Sequence, residues 1–253
     1  MRQNEPLPDF DCAEIQQFDP RALMSEPPSD MDLLMLGLAL AFNDLKGLLI
    51  VSWWMKPHTP KNATSPTAYL GQFSGMQIQL QRLVAGIAHE ILVLLREHEH
   101  VISGADFQKL LAALPRRKQP KLDPRRRWRQ LIAAARERKG GTATTLQRVR
   151  DTVAFHYYQP KKLSQCYSER FLNAGKKSAF LKHAYVSLGA SMERTRFYFV
   201  DVAAEGVLNW ASKQVGRNDF AAEIEDIAGA INFAIGPLLV EHIKQKTGLR
   251  VTR

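Results

Sequence analysis

The chain has 253 residues, 45% of them hydrophobic and 24% charged, and a formal net charge of +10. That length supports a sizeable core in one large or two modest domains, and the balance is that of an ordinary soluble globular protein. Two cysteines, Cys12 and Cys166, have no metal-ligand or redox spacing, and the acidic, Pro-rich N-terminus lacks the order of a secretory signal, so a reducing cytoplasm is the expected location.

Residues 1–28 carry five prolines and little periodicity, which predicts an extended or disordered acidic arm. Ser29-x-x-Asp32 then has the form of a capping box and opens a helix through about Trp53. The apolar run Leu33 to Met55 holds Asn43, Asp44 and Lys46 at its centre. Such groups are costly in a bilayer, so the run predicts a buried or amphipathic helix and no membrane partner. After a Pro-rich loop, Ser65-Pro66 opens a long helix to about Glu97, with Ile78, Leu80, Leu83, Ile87, Ile91, Leu94 and Leu95 on a wide apolar stripe. Ser103-x-x-Asp106 predicts the cap of a short helix ending before Pro115.

A basic helix is expected to follow Pro124 and stop at Gly140-Gly141. Thr142 or Thr144 starts the next one, where Leu146, Val149, Val153 and His156 share an apolar edge that faces the core or a partner chain. A helix over about 178–215 follows, placing Arg194 and Asp201 on one face and Glu193 in reach of Arg196. Asn218-Asp219 begins a last helix to about Lys246. No stretch alternates with period two over a useful length. The fold class is therefore all-α, a multi-helix bundle, with the arm 1–28 preceding a single domain 29–253.

Charge is unevenly spread. Residues 1–30 hold two basic and seven acidic side chains, a net −5, whereas residues 116–139 hold eleven basic and two acidic ones, a net +9. Such a block can neutralise several phosphates. Arg125, Arg126, Arg127 and Arg129 surround Trp128, a composition suited to holding single-stranded nucleic acid by charge and stacking. A solvated helix face is the simpler account of any charge run.

Directly after that block comes Arg150-Asp151-Thr152-Val153-Ala154-Phe155-His156, followed by Tyr157-Tyr158. A guanidinium stays charged and can grip a phosphate with two parallel hydrogen bonds, and an imidazole can move a proton near neutrality. On a straight helix Arg150 and His156 differ by about 120° around the axis, whereas Tyr157 shares the face of Arg150. A second Arg–His pair, Arg82 and His89, lies inside an apolar helix with no polar residue after the Arg, and is read as coincidence.

The run RDTVAFHYY, with five residues between Arg and His and an acidic residue after the Arg, resembles the motif of the HEPN superfamily (higher eukaryote and prokaryote nucleotide-binding domains). That resemblance implies a bundle of four or five helices over residues 30–160, with later helices completing or extending it. It also implies metal-independent cleavage of RNA by its own 2′-hydroxyl, leaving a 2′,3′-cyclic phosphate. In that scheme Arg150, His156 and Asp151 are catalytic. Asn43, Asp44 and Glu90 are supporting residues, each with a simpler reading as a cap, a surface position or a helix-helix bond, and Tyr157 is a fourth. A homodimer is expected, with Val149 and Val153 flanking its two-fold axis.

Two other readings stay open. One is a catalytically silent module holding nucleic acid or a protein partner through the basic block. The other is a toxin-like member controlled by a companion nucleotidyltransferase, for which Tyr158 stands at the position modified in that subgroup. No cofactor and no metal are expected: His98-Glu99-His100 and His89-Glu90 point around a helix instead of converging.

Overall fold

A computed structural model describes residues 18–60, 67–137, 141–154, 161–172, 185–188, 191, 195–213 and 220–248. Its elements are almost entirely helical: α1 (Pro20–Leu23), α2 (Asp30–Met55), α3 (Ala68–Glu97), α4 (Glu99–Ile102), α5 (Ala105–Ala113), α6 (Pro124–Arg136), α7 (Thr142–Val149), α8 (Lys161–Tyr167), α9 (Tyr198–Lys213) and α10 (Phe220–Thr247). The fold is an all-α multi-helix bundle.

The capping box forms as the sequence requires. Ser29 Oγ accepts from Asp32 N at 3.2 Å, and Asp32 Oδ2 accepts from Ser29 N at 3.0 Å. Two first-turn amides are thereby satisfied. At the start of α3 the cap is Thr67, whose side chain accepts from Leu70 N at 3.1 Å; the expected cap Ser65 lies outside the described residues. The cap expected from Ser103 does not form. Gly104 occupies the N-cap of α5, and Ser103 Oγ instead donates to Glu99 Oε1 at 3.1 Å, one turn back. Asp123, next to Pro124, caps α6 by accepting from Arg126 N at 2.8 Å.

The core lies where α2, α3, α6, α7, α9 and α10 meet. Leu34, Leu38, Ile91, Leu95, Leu131, Leu146, Val149, Val207, Ile231, Ala234 and Leu238 are all fully buried. The last helix runs through the middle of the bundle and packs against α6, α2, α3 and α5. It carries Pro237 in its interior, a position that removes one intrahelical bond. α2, α3 and α10 are each long and apolar enough to cross a membrane, by length and composition.

The helix expected over 178–215 is corrected. Residues 185–188 and 195–197 are extended, and Ser187 and Arg196 exchange both backbone hydrogen bonds in an antiparallel bridge at 2.8 and 2.9 Å. The helix starts only at Tyr198. Arg196 therefore pairs with Asp201, Nε to Oδ2 at 2.7 Å, across the helix start and not along a helical face. Arg194 and Glu193 lie outside the described residues.

Candidate functional site

α7 opens at Gly141 and ends at Val149, because the chain continues as a π-helical turn over Arg150–Ala154. Such wide turns recur at functional sites because they redirect side chains relative to a regular helix. Here the turn begins at the Arg of the motif. α3 packs along both α7 and this turn, which brings Glu90, sixty residues earlier in the chain, to Arg150.

Arg150 sits between two carboxylates. Its Nε lies 3.2 Å from Glu90 Oε1, and Nη1 donates to Asp151 Oδ1 at 3.0 Å. The hydrogen bond to Asp151, opposed by partial burial and aided by the charge of Glu90, raises the Arg150 pKa still further, so the cation is permanent. The three side chains are 36%, 55% and 45% exposed, which leaves the group reachable from solvent and stiffened from both sides. Of the supporting residues expected from the sequence, Glu90 is the one that lies beside Arg150 among the described residues.

His89 belongs to the same neighbourhood. Burial pushes its pKa down, Glu90 and Asp151 act against that, and Arg150 and Arg96 reinforce it. The net shift is downward, against the charged imidazolium. Its Nδ1 is buried with no hydrogen-bond partner among the described residues. The ring lines a cavity of about 590 Å³ between α3, α6 and α7, together with Arg96, Arg136, Thr144 and Gln147. The Arg82–His89 pairing in sequence pointed nowhere, but the fold sets His89 in the field of Arg150. No local pattern carries that proximity; only the adjacency of His89 to Glu90 hints at it.

The other site residues separate. Asn43 and Asp44 are exposed on α2, and neither makes a side-chain hydrogen bond or ion pair with the described residues. His156, Tyr157 and Tyr158 lie outside the described residues. Val149 is fully buried in the protomer's own core, so it cannot flank a two-fold axis as expected; the side chain of Val153 is outside the described set.

The basic block divides into structural and exposed cations. Trp128 is 2% exposed and packs on Phe107 with ring centroids 5.2 Å apart, so it fills the core and is closed to a base. Arg127 is buried as well: Nη1 reaches Asp226 Oδ1 at 2.8 Å and Nε donates to the Lys121 carbonyl at 2.9 Å. Burial would raise the Asp226 pKa, but the bonds from Arg127 and Gln130 outweigh it and lower it. Arg125 closes the C-terminal end of α5, donating to Leu114 O at 2.9 and 2.7 Å and to Ala112 O at 2.5 Å. Helix ends need such partners for their last carbonyls. Arg126 and Arg129 remain exposed, and with Arg116, Arg117 and Lys118 they line a cleft of about 670 Å³. Asp123 is the one acidic group in that lining.

Among the described residues no cluster of His, Cys, Asp and Glu has the arrangement of a metal site. Compared with family models, characterised proteins and solved structures, the chain matches none.

Proposed function

We propose that the chain is a metal-independent endoribonuclease of HEPN type. The observation that carries this reading is the guanidinium of Arg150, braced by Glu90 and Asp151 on a π-helical turn that leads into the segment bearing His156. In the reaction the ribose 2′-oxygen attacks the adjacent phosphorus and gives its proton to a base, for which His156 is the assigned group. The 5′-oxygen leaves and takes up a proton, and the products are a 2′,3′-cyclic phosphate and a 5′-hydroxyl. Charge builds on the phosphoryl oxygens as the bond forms, and a fixed cation stabilises it without reorganising. Arg150 is that cation, hydrogen-bonded to Asp151 and within ion-pair reach of Glu90.

The test is cleavage of generic single-stranded RNA with EDTA present. His156→Ala abolishes the cleavage, and Arg150→Ala lowers it by about 10²–10³, the loss typical of one preorganised donor. An unchanged rate in either variant, with the helical circular dichroism intact, removes that residue from the mechanism.

The cleft between α5 and α6 favours a second reading, in which the chain binds a polyanion and cuts nothing. Its five exposed cations have no pairing partner among the described residues. Retention of RNA without cleavage by the wild-type chain supports this binding module.

A further inference from the structure

α2 carries two apolar faces. One is buried through Leu34, Leu38 and Leu45. On the other side Leu33, Leu36, Leu40, Val51 and Trp54 are 47%, 56%, 65%, 37% and 54% exposed. At about 100° per residue these five, together with Asp44 and Gly47, fall within an arc of roughly 80°. The steps along the stripe are three, four, four, three, four and three residues, as in a seam between two paired helices. A seam of that width is narrower than the face by which a helix covers a domain core.

We infer that this stripe pairs with the same stripe of a second copy, the two α2 helices running antiparallel about a two-fold axis between Asn43 and Asp44. The sequence is self-complementary in that register. Leu33 meets the partner's Trp54, Leu36 meets the partner's Val51, and Leu40 meets the partner's Gly47. Large side chains thus face smaller ones at two of the three levels, and the axis converts each contact into two. A Cβ placed at Gly47 would meet nothing within 4 Å inside the protomer, so the hole there is open to a knob from outside. At the centre the Asn43 amide donates to the partner's Asp44 carboxylate, twice by symmetry, which gives both exposed polar groups a partner.

The area suffices. From the exposures above, the five apolar side chains offer roughly 500 Å² per copy, and the flanking polar groups bring the contact toward the ~800 Å² per partner of a standard interface. A bilayer fits the same stripe less well. Asp44 lies at its midpoint, and a carboxylate in hydrocarbon costs about 2.5–3.5 kcal/mol by insertion scales. Nor is the stripe bordered by the rows of Lys and Arg that draw interfacial helices to anionic lipid.

Sedimentation equilibrium on the full chain is the test. The wild type is expected at twice its 28.6 kDa. Gly47→Leu improves helix propensity and touches nothing within its own protomer, so circular dichroism and melting are retained. It fills the hole needed by Leu40, and dimer affinity falls at least about a hundredfold, the scale of a central hot spot. Register is read by mixing Leu36→Cys with Val51→Cys, which gives a mixed disulfide that neither variant forms alone. A wild-type chain that stays monomeric at about 100 μM overturns the inference. So does a dimer indifferent to Gly47→Leu, or a monomer that floats with phosphatidylcholine vesicles.

Discussion

Asp32 is a carboxylate sealed into the N-terminal end of α2, and replacing it gives the sharpest test of the fold's energetics. Its side chain is 1% exposed. Oδ2 accepts from Ser25 N at 3.1 Å, Ser25 Oγ at 2.5 Å and Ser29 N at 3.0 Å, while Oδ1 has, among the described residues, only the Lys246 ammonium at 3.5 Å. The group thus ties the chain before α2, the start of α2 and the end of α10 together. Hydrogen bonds to a charged acceptor contribute about 1.5–3 kcal/mol each, and burying the carboxylate costs several kcal/mol, so three bonds leave a net on the order of 3 kcal/mol. Asp32→Ala removes that, together with half of the capping box.

The pH dependence follows from the same contacts. Burial by itself would raise the Asp32 pKa; the hydrogen bonds from Ser25 and Ser29 outweigh it and hold the carboxyl well below its usual range. A carboxyl depressed in the native state contributes its full stability above its unfolded value, about 3.9, and loses it as pH falls through the native value. Unfolding free energies of wild type and Asp32→Ala from urea titration should therefore differ by about 3 kcal/mol at pH 7 and by clearly less at pH 3. Every other carboxyl titrates in both proteins, so the double difference isolates this one. An equal gap at both pH values, or a gap below about 1 kcal/mol at pH 7, would refute the reasoning.

Glu90→Gln tests whether Glu90 positions Arg150. The pair is half exposed, so stability should change by less than about 1 kcal/mol, while EDTA-resistant RNA cleavage falls about tenfold or more as the guanidinium loses its brace; cleavage at the wild-type rate excludes the role. Reversing three exposed cations of the α5–α6 cleft, Arg116→Glu, Arg117→Glu and Lys118→Glu together, should reduce the salt slope of single-stranded RNA binding by roughly 2, read by fluorescence anisotropy. An unchanged slope means that the polyanion lies elsewhere. At Gly75 an added Cβ would collide with the Arg196–Asp201 ion pair, whose side chains are only 18% and 17% exposed. Gly75→Ala should cost about 1–3 kcal/mol by urea denaturation, and a neutral result would mean that the pair swings aside freely.

The contrast between Ser29 and Ser103 shows which information is local. Both precede an Asp by three residues, and only Ser29 forms the box, because Glu99 lies one turn behind Ser103 and takes its hydroxyl. The pattern fixes what a side chain can reach and leaves open which of two reachable partners wins. The starts of α2 and α6 were legible because a capping Ser or an Asp-Pro pair sits beside a strong apolar period. Residues 185–188 and 195–197 were misread because the pairing of Ser187 with Arg196 spans nine residues, and helical arithmetic along FYFVD cannot register a hydrogen bond that arrives from outside the helix.

At the site the division is the same. The basic run announced charge, but the buried face of α6 was also written in it, since Trp128, Leu131, Ile132 and Ala135 recur at helical spacing with Arg127 beside them. Read by period, that face already removes Trp128 and Arg127 from solvent and leaves Arg126 and Arg129 outside. The meeting of Glu90 with Arg150 has no such trace. It exists because α3 lies along α7 and its π-helical turn, and it makes the placing of the Arg150 guanidinium depend on a helix sixty residues away. A disturbance of the α3–α7 packing, such as a cavity at the fully buried Val149 or Ile91, should therefore weaken the Arg150 centre without touching any of its charged groups.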